Sequence, residues 1–156
     1  MSILVTCGCG FIGTNFISNW FQQTEEHIIN IDCMTYAANK VFINNPPHKN
    51  FTNLNVDIAD SQAVGEIFYA HHPRAIVHFA AESHVDRSIT SADQFIKTNI
   101  NGTYALLVNA LNYTKRVGSD IGENFRFLHV STDEVFGSLE PHESGFSETT
   151  AYKPNS

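Results

Sequence analysis

The sequence predicts an α/β fold, a Rossmann-like doubly wound parallel sheet with strand order 3-2-1-4-5, and three observations carry that prediction. Short apolar runs alternate with stretches of helical periodicity along the chain. A glycine-rich turn with the spacing Gly8, Gly10, Gly13 joins the first run to an amphipathic stretch. An acidic residue, Asp32, closes the second run, where a dinucleotide-binding unit keeps a carboxylate for a ribose hydroxyl.

The elements follow in order. Ile3 to Thr6 is a buried strand, and Phe16, Ile17, Trp20 and Phe21 then repeat at helical spacing to give one apolar face. His27 to Ile31 is the second strand, and the polar run from Asn39 to Asn50, with Pro46-Pro47, is predicted as a loop. Phe51 to Val56 is a third strand, whose Asn53 and Asn55 suit an edge position. Asp60 or Ser61 caps a helix that turns Val64, Ile67 and Phe68 inward and ends at His72-Pro73. Ala75 to Phe79 is the fourth strand. A long helix from about Ser91 carries Phe95, Asn99, Ile100, Thr103, Leu106, Leu107, Ala110 and Leu111 on one side. Gly118 to Asn124 reads as a polar loop, Phe125 to Val130 as the fifth strand, and everything from Ser131 as turns and loop. Right-handed crossovers between such strands give a sheet covered on both faces, with a crevice at the carboxyl ends where the order reverses between strands 1 and 4.

Composition narrows the partners. The 156 residues suit one domain, and a formal charge of −7 without a Lys/Arg run argues against nucleic acid or an anionic membrane surface. No stretch approaches a membrane span, the chain enters a strand directly, and a cytoplasmic location is expected. Cys7, Cys9 and Cys33 fall at the same ends of two neighbouring strands. Three free thiols in a tight turn is the favoured reading, with an oxidisable or metal-binding cluster closing the crevice as the alternative.

Several groups at the crevice could do chemistry. Thr132-Asp133-Glu134 sets a hydroxyl beside two carboxyls just past the fifth strand, either an acid and base pair in a partly dry cleft or a solvated turn capped by Asp133. His78 alternates with apolar neighbours and reads as a hydrogen-bonded core histidine, and His71-His72 reads as exposed, so no metal is assigned. The run Glu82-Ser83-His84-Val85-Asp86-Arg87-Ser88 follows a strand into the crevice and is either ligand-contacting or an ordinary charged loop. Asn99 and Thr103, on the predicted inner stripe of the long helix, need partners there and could bridge helix and cleft.

Taken together, Thr6 to Gly13, Val56-Asp57-Ile58, His78 to Ser88, Thr98 to Thr103 and Val130-Ser-Thr-Asp-Glu-Val-Phe-Gly137 resemble the extended short-chain dehydrogenase/reductases and, among them, the dTDP-glucose 4,6-dehydratases. The resemblance runs the length of the chain and covers the N-terminal half of such an enzyme. It implies NAD as cofactor, dTDP-glucose as substrate, dTDP-rhamnose biosynthesis as setting and a homodimer. It implies that the turn of Gly8, Gly10 and Gly13 carries the diphosphate on the backbone of Phe11 and Ile12, that Asp32 takes the ribose hydroxyls, and that Cys33, Met34 and Thr35 line the rest of the adenosine edge. It further implies Asp57 and Ile58 beside the adenine, Phe79, Ala80, Ala81, Glu82 and Thr98 on the nicotinamide side, and Ser83 and Thr132 on the glucosyl unit. In the family's mechanism a tyrosine removes the C4 hydroxyl proton as hydride passes to NAD. Glu134 would then take the C5 proton and Asp133 would protonate the leaving C6 hydroxyl.

Three departures from the family pattern bear on these expectations. Cys7 stands where the family has the first glycine of its motif, and Cys33 stands where a basic residue is usual. The chain stops at Ser156, before the family's Tyr-x-x-x-Lys helix, so residues 1–156 are expected to form an incomplete NAD-binding domain without the sugar-nucleotide domain, and to lack turnover alone. Apolar surface on the fifth strand and the long helix is expected to be exposed. The rival readings are a dehydratase or reductase for another nucleotide sugar, a non-catalytic NAD-binding module, and a fragment that binds nothing.

Overall fold

A computed structural model describes residues 1–46, 48–84, 89 and 91–155. Five parallel strands, β1 (Ser2–Thr6), β2 (His27–Asp32), β3 (Phe51–Asn55), β4 (Pro73–His78) and β5 (Arg126–His129), form one sheet in the order β3-β2-β1-β4-β5. The helices α1 (Phe11–Gln23), α2 (Lys40–Asn44), α3 (Ser61–His71), α4 (Ala92–Phe95), α5 (Thr103–Arg116) and α6 (Ser119–Asn124) connect them. The topology and the strand order are those the sequence predicts.

The apolar runs are continuous because both faces of the sheet are covered. On one face Ile3, Val5, Ile28, Ala75 and Val77 pack with Ile17 of α1, joined by Phe16, Trp20 and Phe21. On the other, Leu4, Ile29, Ile31 and Ile76 meet Val64, Ile67 and Phe68 of α3 and Leu106, Ala110 and Tyr113 of α5. Asp60 caps α3 by accepting the N–H of Ala63 at 3.1 Å. β3 lies at one edge and β5 at the other.

Three expectations need correction. The predicted 39–50 loop contains α2, whose N-terminus is held by Asn39 accepting the N–H groups of Val41 and Phe42 at 3.1 Å. The predicted 118–124 loop contains α6. Both helices are too short for hydrophobic periodicity to register. The long helix is not uniform: α4 passes through a π-helical segment, Ile96–Gly102, before α5 begins. That wider turn rotates the helix surface, and the buried face becomes Gly102, Ala105, Leu106, Ala110 and Tyr113. Ile100, Leu107 and Leu111, predicted to face inward, are 56 %, 47 % and 53 % exposed. Ile96 and Tyr104 extend the exposed stripe, and Leu128 on β5 is also exposed, in line with the expected open apolar surface.

Beyond β5 a 3-10 turn, Asp133–Phe136, is the only regular structure among the described residues, and Phe136 packs against Phe146 and Tyr152. Val85, Asp86, Arg87 and Ser88 of the predicted crevice loop, Pro47 and the terminal Ser156 lie outside the described residues.

Candidate active site

The turn between β1 and α1 can be read as a ledger of backbone donors. Cys7 N–H goes to the carbonyl of Ile31 at 2.9 Å and Gly10 N–H to that of Cys7 at 3.1 Å. Gly8 N–H goes to Asn30 Oδ1 at 2.7 Å and Cys9 N–H to Asp32 Oδ2 at 3.0 Å. The next intrahelical bond is from Thr14 to the Gly10 carbonyl. The N–H groups of Phe11, Ile12 and Gly13 are therefore left without a protein acceptor among the described residues, at the positive end of a 13-residue helix. Gly8 and Gly13 are dictated by this packing. A Cβ on Gly8 would lie 2.3 Å from Asn30 Oδ1, and one on Gly13 2.3 Å from the Cys7 carbonyl. Cys7 itself sits at φ 55, a conformation that costs a side-chain-bearing residue.

Asp32 ends β2 with its carboxylate in place but already engaged, since Oδ1 also accepts the N–H of Met34 at 2.9 Å. Asp32 lines a small pocket of about 60 Å³ together with Cys7, Cys33, Thr35, Asp57, Ile58 and Thr98. Asp57 accepts Lys97 Nζ at 2.7 Å and the N–H of Ala59 at 2.9 Å. Burial pushes the Asp57 carboxyl up, but these hydrogen bonds and the Lys97 charge outweigh it and hold the group below its ordinary value. Burial, then the neighbouring Asp32 charge, pushes the thiols the other way, Cys7 to about 11 and Cys9 to about 12, and Cys33 also upward. All three cysteines are free thiols, protonated at neutral pH, and no cluster of metal-ligating side chains occurs among the described residues.

Ala81 and Glu82 separate this pocket from a wider cleft of about 740 Å³ between the ends of β4 and β5. Ile12, Phe79, Ser83, Thr132, Asp133 and Glu134 line it. The Thr132 hydroxyl accepts the N–H of Glu134 at 3.2 Å and lies 3.4 Å from Asp133 Oδ1. Thr132, Asp133 and Glu134 are all exposed, so the partly dry setting expected for a carboxyl pair is not what this chain gives them, and the turn is both solvated and capped, by Thr132 rather than by Asp133. The acids nonetheless open on the same rim as the glycine turn.

Two clamps fix the cleft wall between these ends. Thr6 Oγ1 accepts the N–H groups of Phe79 and Ala80 at 3.1 and 3.0 Å and contacts His78 Nδ1 at 2.8 Å. His78 is fully buried, and its Nε2 meets Thr103 Oγ1 at 2.9 Å. Burial, with a smaller contribution from His129, lowers its pKa to about 4, so it is the neutral core histidine that the strand pattern suggests. From the helix side, Asn99 accepts the N–H of Glu82 at 2.8 Å and donates to its carbonyl at 2.9 Å. Both polar residues of the predicted stripe thus bridge helix and cleft, although Asn99 is exposed.

Most of the predicted site residues meet in these two cavities. Gly8, Gly10, Phe11, Gly13 and Met34 line neither: Gly8 and Gly13 are buried in the turn, Phe11 is exposed, and Met34 turns its sulfur toward Asn53. Sequence reasoning missed Asn30, Lys97 and His129. Asn30 had a signal, a polar residue amid the apolar β2 run, where burial demands a partner. Lys97 and His129 had none that distinguishes them from surface residues.

A parallel sheet in the order β3-β2-β1-β4-β5, with a glycine turn, an acid at the end of β2 and two carboxyls at the end of β5, has the layout of a Rossmann-like doubly wound domain. The family profile described as GDP-mannose 4,6 dehydratase matches residues 4–156, and the chain belongs to that family. It is 46 % identical over 166 aligned positions to the dTDP-glucose 4,6-dehydratase of Salmonella typhimurium, covering all of this chain and 46 % of that protein. Among solved structures it is similar to the dTDP-glucose 4,6-dehydratase of Streptomyces venezuelae with NAD bound, at TM-score 0.84 and 35 % identity over 99 % of this chain and 46 % of that one. The Bacillus anthracis enzyme in complex with NAD superposes at TM-score 0.82 and 33 % identity, over 100 % of this chain and 45 % of that one. The chain spans about half the length of the curated relatives it matches.

Proposed function

We propose that the chain is the NAD-binding part of a dTDP-glucose 4,6-dehydratase, an NAD-dependent lyase, and that alone it does not turn over. The observation that carries this reading is the opening of Asp133 and Glu134 onto a cleft that shares Ala81 and Glu82 with the Asp32 pocket, with Ile12 in the lining of the first and Cys7 in that of the second. The residues fit a dinucleotide: three backbone donors at the start of α1 lack a protein acceptor among the described residues, and the Asp32 carboxylate lines the adjoining pocket. NAD, when bound, supplies the acceptor for a hydride. The chain's own residues bind and orient, and supply the acid and base of the elimination; the base for the C4 hydroxyl is not among residues 1–156. Phe11 and Ile12 offer N–H groups to the diphosphate, Asp32 accepts from the ribose, and Cys33, Met34, Thr35, Asp57 and Ile58 enclose the adenosine end. Phe79, Ala80, Ala81, Glu82 and Thr98 border the nicotinamide end, and Ser83 and Thr132 orient the sugar. Glu134 takes a proton from C5, and Asp133 returns one to the C6 hydroxyl as it leaves.

A homodimer fits the exposed apolar stripe of Ile96, Ile100, Tyr104, Leu107 and Leu111. The acidic charge of −7 fits a protein with no nucleic-acid partner, and no described helix is long and apolar enough to cross a membrane; a cytoplasmic location is part of the proposal. The test is a chimera in which residues 1–156 replace the equivalent segment of the Salmonella typhimurium enzyme. It converts dTDP-glucose to the 4-keto-6-deoxy sugar, and Asp133→Asn or Glu134→Gln lowers turnover by about 100-fold or more while NAD affinity is kept. A chimera that binds NAD but leaves dTDP-glucose unchanged refutes the substrate; turnover indifferent to both substitutions refutes the roles of the acids.

A further inference from the structure

A buried pair of amides lies beneath the glycine turn. Asn30, fully buried in the middle of β2, accepts the Gly8 N–H through Oδ1 at 2.7 Å and donates through Nδ2 to Asn53 Oδ1 at 2.7 Å. The same Nδ2 lies 3.3 Å from Cys9 Sγ, and that thiol lies 3.5 Å from Asn53 Oδ1. An amide has one acceptor and one donor end, and here both are committed, so the Asn53 oxygen determines which way Asn30 faces. Only with its oxygen toward the turn does Asn30 hold Gly8. The contact is also why residue 8 must be a glycine, since a Cβ there would collide with the Asn30 carboxamide. Hydrophobic neighbours would satisfy a core more simply than two amides, and isoleucines surround Asn30 in its strand.

We infer that Asn30, oriented by Asn53, is a positioning residue for dinucleotide binding: by holding the Gly8 N–H it sets the entry of the turn from which the Phe11, Ile12 and Gly13 N–H groups meet the diphosphate. This rests on the proposed NAD site. The pair acts before any ligand arrives, so the donors need no reorganisation on binding. Asn30 touches no ligand; it works through one peptide N–H. The role of Asn53 is one step further removed and depends on its oxygen alone, because its own amide donor reaches only the Met34 sulfur at 3.8 Å.

The experiment measures, by calorimetry on the chain, the affinities of NAD and of AMP, which lacks the diphosphate bridge. Asn30→Leu weakens NAD by about tenfold or more, the scale of a misdirected set of hydrogen bonds, and AMP by much less. Asn53→Leu weakens NAD in the same sense but less, and Asn53→Asp, which keeps the oxygen, restores affinity toward the unaltered value. Should Asn30→Leu not fold, the Asn53 pair carries the comparison. Unchanged NAD affinity in Asn30→Leu and Asn53→Leu, or equal losses for NAD and AMP, overturns the inference while leaving the NAD site standing. No NAD binding by the unaltered chain overturns both.

Discussion

Acidification should weaken this fold through one buried ring, and the size of the effect can be worked out. Thr6 Oγ1 accepts two backbone N–H groups, from Phe79 and Ala80, so its own proton is directed at His78 Nδ1. Nδ1 is then the bare nitrogen and Nε2 carries the hydrogen given to Thr103. Protonating Nδ1 sets two donors face to face inside the core, on top of the burial and the His129 neighbour that already bring the pKa to about 4 from 6.5. The unfolded chain binds the proton first as pH falls. The contribution is complete above pH 6.5, shrinks between 6.5 and about 4, and levels off below, a loss of about 3 kcal/mol at about 1.36 kcal/mol per pH unit. Urea unfolding at a series of pH values, on the unaltered chain and on His78→Gln, isolates the term because every other group titrates in both. The stability gap between the two should move by about 3 kcal/mol across that window. Parallel pH curves, or an imidazole resonance of His78 that titrates near 6.5, would refute the reasoning.

Other outcomes follow from the same geometry. Cys7→Gly relieves a left-handed residue, and against the entropy of a freer unfolded chain the net gain should be about 0.5–1 kcal/mol by urea melts; a clear loss would mean that the half-buried thiol matters more than its backbone. Gly13→Ala forces a Cβ against the Cys7 carbonyl and should cost about 2 kcal/mol or more in the same measurement, with NAD binding lost even in protein that remains folded. Lys97→Met should raise the Asp57 carboxyl pKa seen by NMR, yet leave the urea midpoint almost unmoved, because the Lys97 end of the pair is solvent-exposed.

What the sequence made legible was what depends on periodicity and on local chain chemistry. The five strands follow from alternation, and their order and the convergence of Asp32, Glu82 and Asp133 on one rim from the doubly wound pattern that the glycine turn and Asp32 imply. His78 was readable because a polar residue in a buried strand has few fates. The stripe of the long helix was misjudged for a specific reason: a 3.6-residue period was carried through Ile96–Gly102, where the backbone adopts the wider π turn, so Leu107 and Leu111 emerged on the outside and Tyr113 went in. Nothing in that stretch announces a π turn. The helices α2 and α6 escaped because one or two turns are too short to display a period, even where, as in α2, Val41, Phe42 and Ile43 are apolar.

The π segment also has a consequence for function. Lys97, Thr98 and Asn99 belong to it, and Thr103 follows it directly; they reach Asp57, the Asp32 pocket, the Glu82 backbone and His78 respectively. A regular helix spaces side chains 100° apart and would spread four near-consecutive residues around its circumference. The wider turn advances each residue by a smaller angle and keeps more of them on the sheet side. The helix thereby touches both ends of the cleft at once, and the feature that defeated the periodicity argument is the one that joins the Asp32 pocket to the wall beside the acids. Cores are read from repeating patterns, so a site built where the repeat breaks is the part that pattern reading loses first.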